Sequence, residues 1–361
     1  MGTDAEGSGE ARAAAARPDP RRLRVLHLVG SPTTAFFADL SRLYARDCLE
    51  TVRDDERYET HVAHVDPDGL WRFPTDQGDP LSAGALQAAE RMPVAAAIAH
   101  IASLRVDLMV PQMFCVAGMT SYRALFDVLG IPYVGNRPDV MALTADKAQA
   151  RAVVAAAGVD VPRGELVRAG GRTTLDLPVV VKPVDADNSA GVALVREPSE
   201  LDPALVAALE HADAALVETY VPLGREVRCG VLQRDGELVC LPLEEYRVTG
   251  VRTAEDKVVR HADGDLRLVA KGDEHAWILP TDDPITAAVH ELARRAFVAL
   301  GCRHYGLFDV RVAPDGRPWF LEASLYCSFA RQSVLCAMAQ AAGTGPAELF
   351  RSTIQEELHG R

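Results

Sequence analysis

Residues Tyr305 to Ser324 read YGLFDVRVAPDGRPWFLEAS, and the fold turns on this stretch. Two runs rich in β-branched and aromatic residues flank Pro314-Asp315-Gly316-Arg317, and an Asp-Gly pair between such runs is a strong hairpin signal. With Asp315 and Gly316 as the two loop residues, Arg317 pairs with Pro314, and the same counting sets Glu322 opposite Asp309. Like charges facing each other across an antiparallel pair are destabilising, so the arrangement calls for a reason, and a hard divalent cation between them is the commonest one. Alternation assigns Leu307, Asp309, Arg311, Phe320, Glu322 and Ser324 to one face and Phe308, Val310, Val312, Trp319 and Leu321 to the other. The competing reading is an exposed hairpin whose acids point into water.

The chain has 361 residues, 48% of them hydrophobic, more than one core usually serves, so two or three domains are expected. A net charge of -13 argues against a nucleic-acid surface but leaves room for a local basic site that takes a small anion. Seven scattered cysteines, with no CxxC pair, fit a reducing compartment and no structural zinc. With no apolar run near about 18 residues and no signal-peptide core, a cytoplasmic protein without membrane contact is expected. Only four of the 38 basic residues are lysine: Lys147, Lys182, Lys257 and Lys271. Where arginine is the default cation, a lysine marks a site that wants a compact ammonium charge.

Residues 1–22 are small, charged and proline-bearing and read as a disordered tail. From Leu23 the pattern alternates strand, helix and strand through Val106–Pro111, which builds a parallel sheet, with a further helix over Gly118–Leu129 and a short strand over Ile131–Gly135. Gly30-Ser31-Pro32 lacks the spacing of a dinucleotide site. Thr144 reads as the N-cap of a helix that carries Lys147 in its first turn and closes at Gly158. Lys182 ends a strand before the small-residue loop Pro183–Gly191, which suits either a phosphate-binding backbone or an ordinary turn. The boundaries drawn are 23–137 for an amino-terminal α/β domain, 138–215 for a central domain and 216–361 for a carboxy-terminal domain.

Five elements in order carry a resemblance: Ala142-Leu143-Thr144-Ala145-Asp146-Lys147, Val180-Val181-Lys182-Pro183, Val217-Glu218, Gly224-Arg225-Glu226, and the hairpin acids Asp309 and Glu322. Together they are similar to the ATP-grasp superfamily and, more narrowly, to the D-alanine–D-alanine ligase group of carboxylate–amine ligases. The resemblance implies an α/β fold, α+β in part, of three domains with ATP between the central and carboxy-terminal ones. It implies that Lys147, Lys182 and Lys257 reach the phosphates, and that residues 185–191 form a lid in which Asn188 and Ser189 meet the nucleotide, Ser189 also serving catalysis. Glu218, Thr219, Tyr220 and Val221 would contact adenine, and Glu226 the ribose. Asp309, Glu322 and Ser324 would hold magnesium, two ions by expectation, with manganese as the alternative.

The departures bear on the substrate. Leu307 stands where these ligases carry an arginine that stabilises the tetrahedral intermediate, and Ser324 where they carry asparagine. The glutamate expected after the first strand is absent from Ser31–Phe37, and Gln112–Gly118 lacks the usual His-Gly pattern. The expected activity is therefore amide formation through an acyl phosphate, with an acid and an amine other than two D-alanines; a true D-alanine–D-alanine ligase and a degenerate ATP-binding protein are the alternatives. Small-molecule acid and amine partners are expected and nucleic acid is not, with a homodimer left open. Arg331, and behind it Arg311, are the candidates to replace the missing arginine.

Overall fold

The computed structural model of the protein describes residues 22–75, 78–186, 190–248, 250–251, 258–260, 266–268 and 275–359. Most of the tail, and Asn188, Ser189, Lys257 and Lys271 with it, lie outside the described residues.

The first sheet gathers β1 (Leu23–Gly30), β2 (Tyr58–Val65), β3 (Trp71–Arg72) and β4 (Leu108–Pro111) in the order β3-β2-β1-β4. β1 runs parallel to β2 and to β4, as the strand–helix–strand pattern requires. α1 (Ala35–Thr51) starts at Thr34, whose hydroxyl accepts from the Phe37 N–H at 3.3 Å. α2 (Ala83–Ala88) and α3 (Val94–Leu104) complete the crossover to β4. The helix expected over Gly118–Leu129 is two, α4 (Val116–Met119) and α5 (Ser121–Val128), broken at Thr120, and the Ile131–Gly135 strand reduces to a parallel bridge between Met109 and Tyr133.

α6 (Pro138–Ala145) contains Thr144, which therefore does not cap the lysine helix. Asp146 does: its carboxylate accepts from the Ala148 and Gln149 N–H groups at 2.9 Å, and α7 (Lys147–Ala156) begins at Lys147 itself. The helix breaks at Gly158, whose φ of +75° suits a residue without a Cβ.

A second sheet is antiparallel throughout: β5 (Gly164–Val167), β6 (Val179–Pro183), β7 (Ala193–Val195) and β8 (Ala215–Thr219), in the order β5-β8-β6-β7, backed by α8 (Pro198–Leu209). β8 continues to Thr219, so a boundary at 215 falls at the head of a strand of this sheet. The third and largest sheet holds β9 (Arg225–Arg234), β10 (Glu237–Cys240) and β11 (Glu244–Tyr246). β12 (Val258–Arg260) and β13 (Leu266–Leu268) pair apart from it, and β14 (Ala276–Ile278), β15 (Tyr305–Val312) and β16 (Pro318–Ser324) complete it, in the order β14-β11-β9-β15-β16. α9 (Thr286–Leu300) covers one face of this sheet together with α6 and α7, in a core that includes Phe297, Phe308, Val310 and Phe320. α10 (Val334–Ala341) and α11 (Pro346–His359) pack Leu335, Phe350 and Ile354 against Val25 and Leu108 of the first sheet.

The β15–β16 hairpin meets its expected pairing by an unexpected route. The Gly316 N–H bonds to the Ala313 carbonyl at 2.8 Å and the Ala313 N–H to the Arg317 carbonyl at 2.9 Å, so the loop holds Pro314, Asp315 and Gly316, with Gly316 at φ +86°. That extra residue displaces the register by one, giving Val310 opposite Phe320 and Arg311 opposite Trp319. A bulge between Asp309 and Val310 displaces it back, and Asp309 ends opposite Glu322 after all. The faces change accordingly. Phe320 is 1% exposed in the core beside Phe308, not on the polar face, and Leu321, the bulged residue, lines the cleft that was assigned to its neighbour.

Candidate active site

The cleft opens between the second and third sheets, and its walls carry most of the expected residues that the structure describes: Lys147, Lys182, Glu218, Thr219, Val221, Glu226, Asp309, Arg311, Glu322 and Ser324.

On the side of the second sheet, Lys182 and Glu218 lie on the neighbouring strands β6 and β8. Lys182 Nζ lies 2.6 Å from Glu218 Oε2, while Arg151 Nε of α7 meets Oε1 at 3.1 Å. Glu218 is 4% exposed, so its carboxylate is a buried clamp that aims Lys182 rather than a group open to a base. The Thr219 N–H donates to the Arg163 carbonyl at 2.8 Å and the Tyr220 N–H to the Pro178 carbonyl at 3.0 Å. The Val221 N–H, by contrast, meets no acceptor among the described residues. Lys147 Nζ donates to the Ala186 carbonyl at 2.7 Å and stands 4.0 Å from Glu322 Oε2, linking the segment after β6 to the third sheet.

The third sheet presents its polar face in rows. One row runs Tyr246, Glu226, Arg311 and Trp319 across four strands; the next runs Glu244, Arg228, Asp309 and Glu322. In the first, Arg311 Nη2 bonds Glu226 closely and the Gly250 carbonyl at 2.9 Å, and Nη1 reaches the Val221 carbonyl at 3.3 Å. Arg311 Nε is buried with no partner among the described residues. Its donors thus shape the Val221–Glu226 end of the cleft and do not reach toward Asp309. In the second row, Arg228 Nε meets Asp309 Oδ1 at 2.5 Å, and its guanidinium lies 5.2 Å from the Tyr246 ring centroid. Burial opposes the Arg228 charge, but Asp309, Tyr246 and Glu244 outweigh it and hold its pKa well above the arginine range. The facing carboxylates are thus not a bare repulsive pair: Asp309 has Arg228, and Glu322 has Lys147 at longer range.

Arg331 is exposed and does not line this cleft, so it does not occupy the position expected of it. Reasoning from the sequence also passed over Arg228 and Arg151. Both were accessible to periodicity: Arg228 lies two residues from Glu226 on one strand, and Arg151 one helical turn beyond Lys147.

Beyond Ser324, Tyr326 of the cleft lining meets α1 and the segment after β4. Tyr326 lies 6.2 Å from Phe114, which lies 5.1 Å from Tyr44, and Phe36, Phe37, Leu40 and Leu43 extend the cluster. Tyr326 of this wall lines the same cleft as Arg228, Asp309 and Glu322; burial pushes the Tyr44 phenol up and the Arg228 guanidinium acts the other way.

Residues 162–355 match the family described as D-ala D-ala ligase C-terminus, more than half of the chain. The chain belongs to the D-alanine–D-alanine ligase family. It is 34% identical over 220 residues to a D-alanine–D-alanine ligase of Mycolicibacterium smegmatis, covering 56% of this chain and 58% of that protein. Its identity to the Mycobacterium avium D-alanine–D-alanine ligase is 33% over 244 residues, covering 65% of each. The match thus spans less than two thirds of either relative. Among solved structures, the VanG D-Ala:D-Ser ligase from Enterococcus faecalis superposes with a TM-score of 0.72 at 21% identity, covering 93% of this chain and 99% of that one. The Bacillus anthracis D-alanine–D-alanine ligase complexed with ATP superposes with a TM-score of 0.68 at 18% identity, covering 93% and 98%. The fold is that of the ATP-grasp ligases of this family. Among the described residues no helix is long and apolar enough to cross a membrane.

Proposed function

We propose that this protein is an ATP-dependent carboxylate–amine ligase that forms an amide through an acyl phosphate, with substrates other than two D-alanines. The observation that carries the reading is the convergence of Lys147 and Lys182 with Asp309 and Glu322 on one cleft between two sheets. Two mostly buried ammonium groups are suited to phosphate oxygens, and the buried, unpartnered Arg311 Nε offers a donor beside the carboxylate of Glu226. Asp309, Glu322 and the Ser324 hydroxyl offer the hard oxygen donors that magnesium takes, and they would hold it against the phosphates. When bound, magnesium would supply charge neutralisation to the phosphates.

A substrate carboxylate oxygen attacks the γ-phosphorus of ATP, the bond from phosphorus to the bridging oxygen of ADP breaks, and an acyl phosphate results. The amine nitrogen then attacks the carbonyl carbon, phosphate departs with the C–O electron pair, and the nitrogen loses its proton to solvent. No side-chain nucleophile is required; the residues position and neutralise. Lys147 and Lys182 hold the phosphates, Glu218 keeps Lys182 aimed, and Glu226 faces the sugar. Asn188 and Ser189 from the lid and Lys257 would join them.

The aromatic wall of Phe36, Phe114, Tyr44 and Tyr326 supports an acid or amine with an apolar body, since it offers surface to bury. The names of the mycobacterial relatives favour the second reading, a D-alanine–D-alanine ligase. Phosphate release from Mg·ATP, measured with D-alanine alone and with mixed amino acids, followed by product mass spectrometry, separates the two. Turnover on D-alanine alone refutes the proposed substrate class, and no turnover on any mixture refutes the ligase.

A further inference from the structure

We propose that Arg228 supplies the positive charge at the reaction centre, meeting the phosphoryl group as it passes to the substrate carboxylate and the oxyanion that forms when the amine attacks. The proposal rests on the ligase reading above and identifies a residue that this reading does not use.

Four neighbouring strands set Glu244, Arg228, Asp309 and Glu322 in one row, and Arg228 is the only cation in it. The guanidinium is fixed along one edge by the 2.5 Å contact from Nε to Asp309 and on one face by the Tyr246 ring. A guanidinium has five N–H donors. Among the described residues only Nε of Arg228 has a hydrogen-bond partner, and the side chain lines the cleft, so the Nη edge is presented to whatever binds there. Such an edge can take two oxygens of a phosphoryl group, or one oxygen of phosphate and one of a carboxylate.

The other candidate arginines are otherwise engaged. Arg311 spends both Nη groups on Glu226 and on the Val221 and Gly250 carbonyls, and Arg331 is exposed. Position also favours Arg228. It projects from the strand beside β15 in the row of the two hairpin acids, whereas Leu307 lies one row further on, opposite Gly230 and Ser324. Tyr326 of the apolar wall lines the same cleft as Arg228 and the two lysines, so the guanidinium stands between the expected phosphate end and that wall.

The charge flow follows from this position. As the carboxylate oxygen bonds to phosphorus, negative charge spreads over the transferring phosphoryl oxygens, and Arg228 neutralises it without giving up a proton. As the amine nitrogen bonds to the carbonyl carbon, the carbonyl electrons move to oxygen, and the same fork stabilises that oxyanion until phosphate leaves.

The test compares wild type, Arg228→Met and Arg228→Lys in two measurements. Calorimetry gives the affinity for Mg·ADP alone and for Mg·ADP with aluminium fluoride, a mimic of the transferring phosphoryl group. Phosphate release with mixed amino acids gives kcat and the KM for ATP. Arg228→Met is expected to bind Mg·ADP within about threefold of wild type, to lose the gain from aluminium fluoride, and to lose about 100- to 1,000-fold in kcat with little change in KM. Arg228→Lys is expected to recover part of both losses. An unchanged aluminium fluoride gain in Arg228→Met overturns the proposal. So does a collapse of Mg·ADP affinity in both variants, which would make Arg228 a mere support for Asp309. A wild type that binds the aluminium fluoride complex but turns over no amino acid sinks the ligase reading instead, and the calorimetric comparison still decides Arg228.

Discussion

Removing charge from each member of the facing carboxylate pair should have unequal effects on the protein without metal. Asp309 and Arg228 form a contact of 2.5 Å with side chains only 12% and 13% exposed. Asp309→Asn leaves that guanidinium buried without its nearest counter-charge, and breaking such a pair costs about 3 kcal/mol or somewhat more. Glu322 stands 4.0 Å from Lys147 with its side chain 31% exposed, a geometry in which an ion pair contributes less than about 1 kcal/mol. Glu322→Gln also relieves repulsion with Asp309, which offsets part of even that loss. Thermal unfolding in chelator-treated buffer should therefore place Asp309→Asn well below wild type and Glu322→Gln close to it. Adding Mg·ADP at 100 times its dissociation constant should then stabilise wild type by about 2.7 kcal/mol and both variants by much less. Equal destabilisation of the two variants without metal would refute the argument, because it would mean that Glu322, and not only Asp309, is locked into the apo structure.

Lys182→Met should weaken Mg·ATP binding by about 10- to 150-fold, the equivalent of a charge-assisted hydrogen bond of roughly 1.5–3 kcal/mol, and Lys147→Met should fall in the same range by calorimetry. His27 is 2% exposed on β1, and burial pushes its pKa down to about 3, so the fold keeps it neutral while the unfolded chain protonates it near 6.5. Its contribution is complete above about pH 6.5 and is lost as pH falls toward 3. By pH 5 wild type should have lost about 2 kcal/mol relative to pH 7 through this group, and in His27→Gln the pH slope in denaturant titrations should flatten.

Much of this protein was legible in its sequence because the signals are local. Apolar runs separated by capped helices gave the parallel first sheet, and the scarcity of lysine pointed to Lys147 and Lys182, which do line one cleft. Asp309 opposite Glu322 was also reached from the sequence, but through two displacements that cancel. A three-residue loop and a bulge at Leu321 cannot be told from a plain two-residue turn by counting, since either gives the same pairing at that row. Tertiary structure decided which face Phe320 and Leu321 serve, because only the packing of Phe320 against Phe308 and Val310 fixes where the pleat slips. It also decided which cation stands beside the acids. Arg228 lies 81 residues from Asp309 along the chain, and nothing local to either predicts that β9 will pair with β15 in the register that joins them. Alternation can say which side of a strand a residue faces; only the order of strands in the sheet says what it faces.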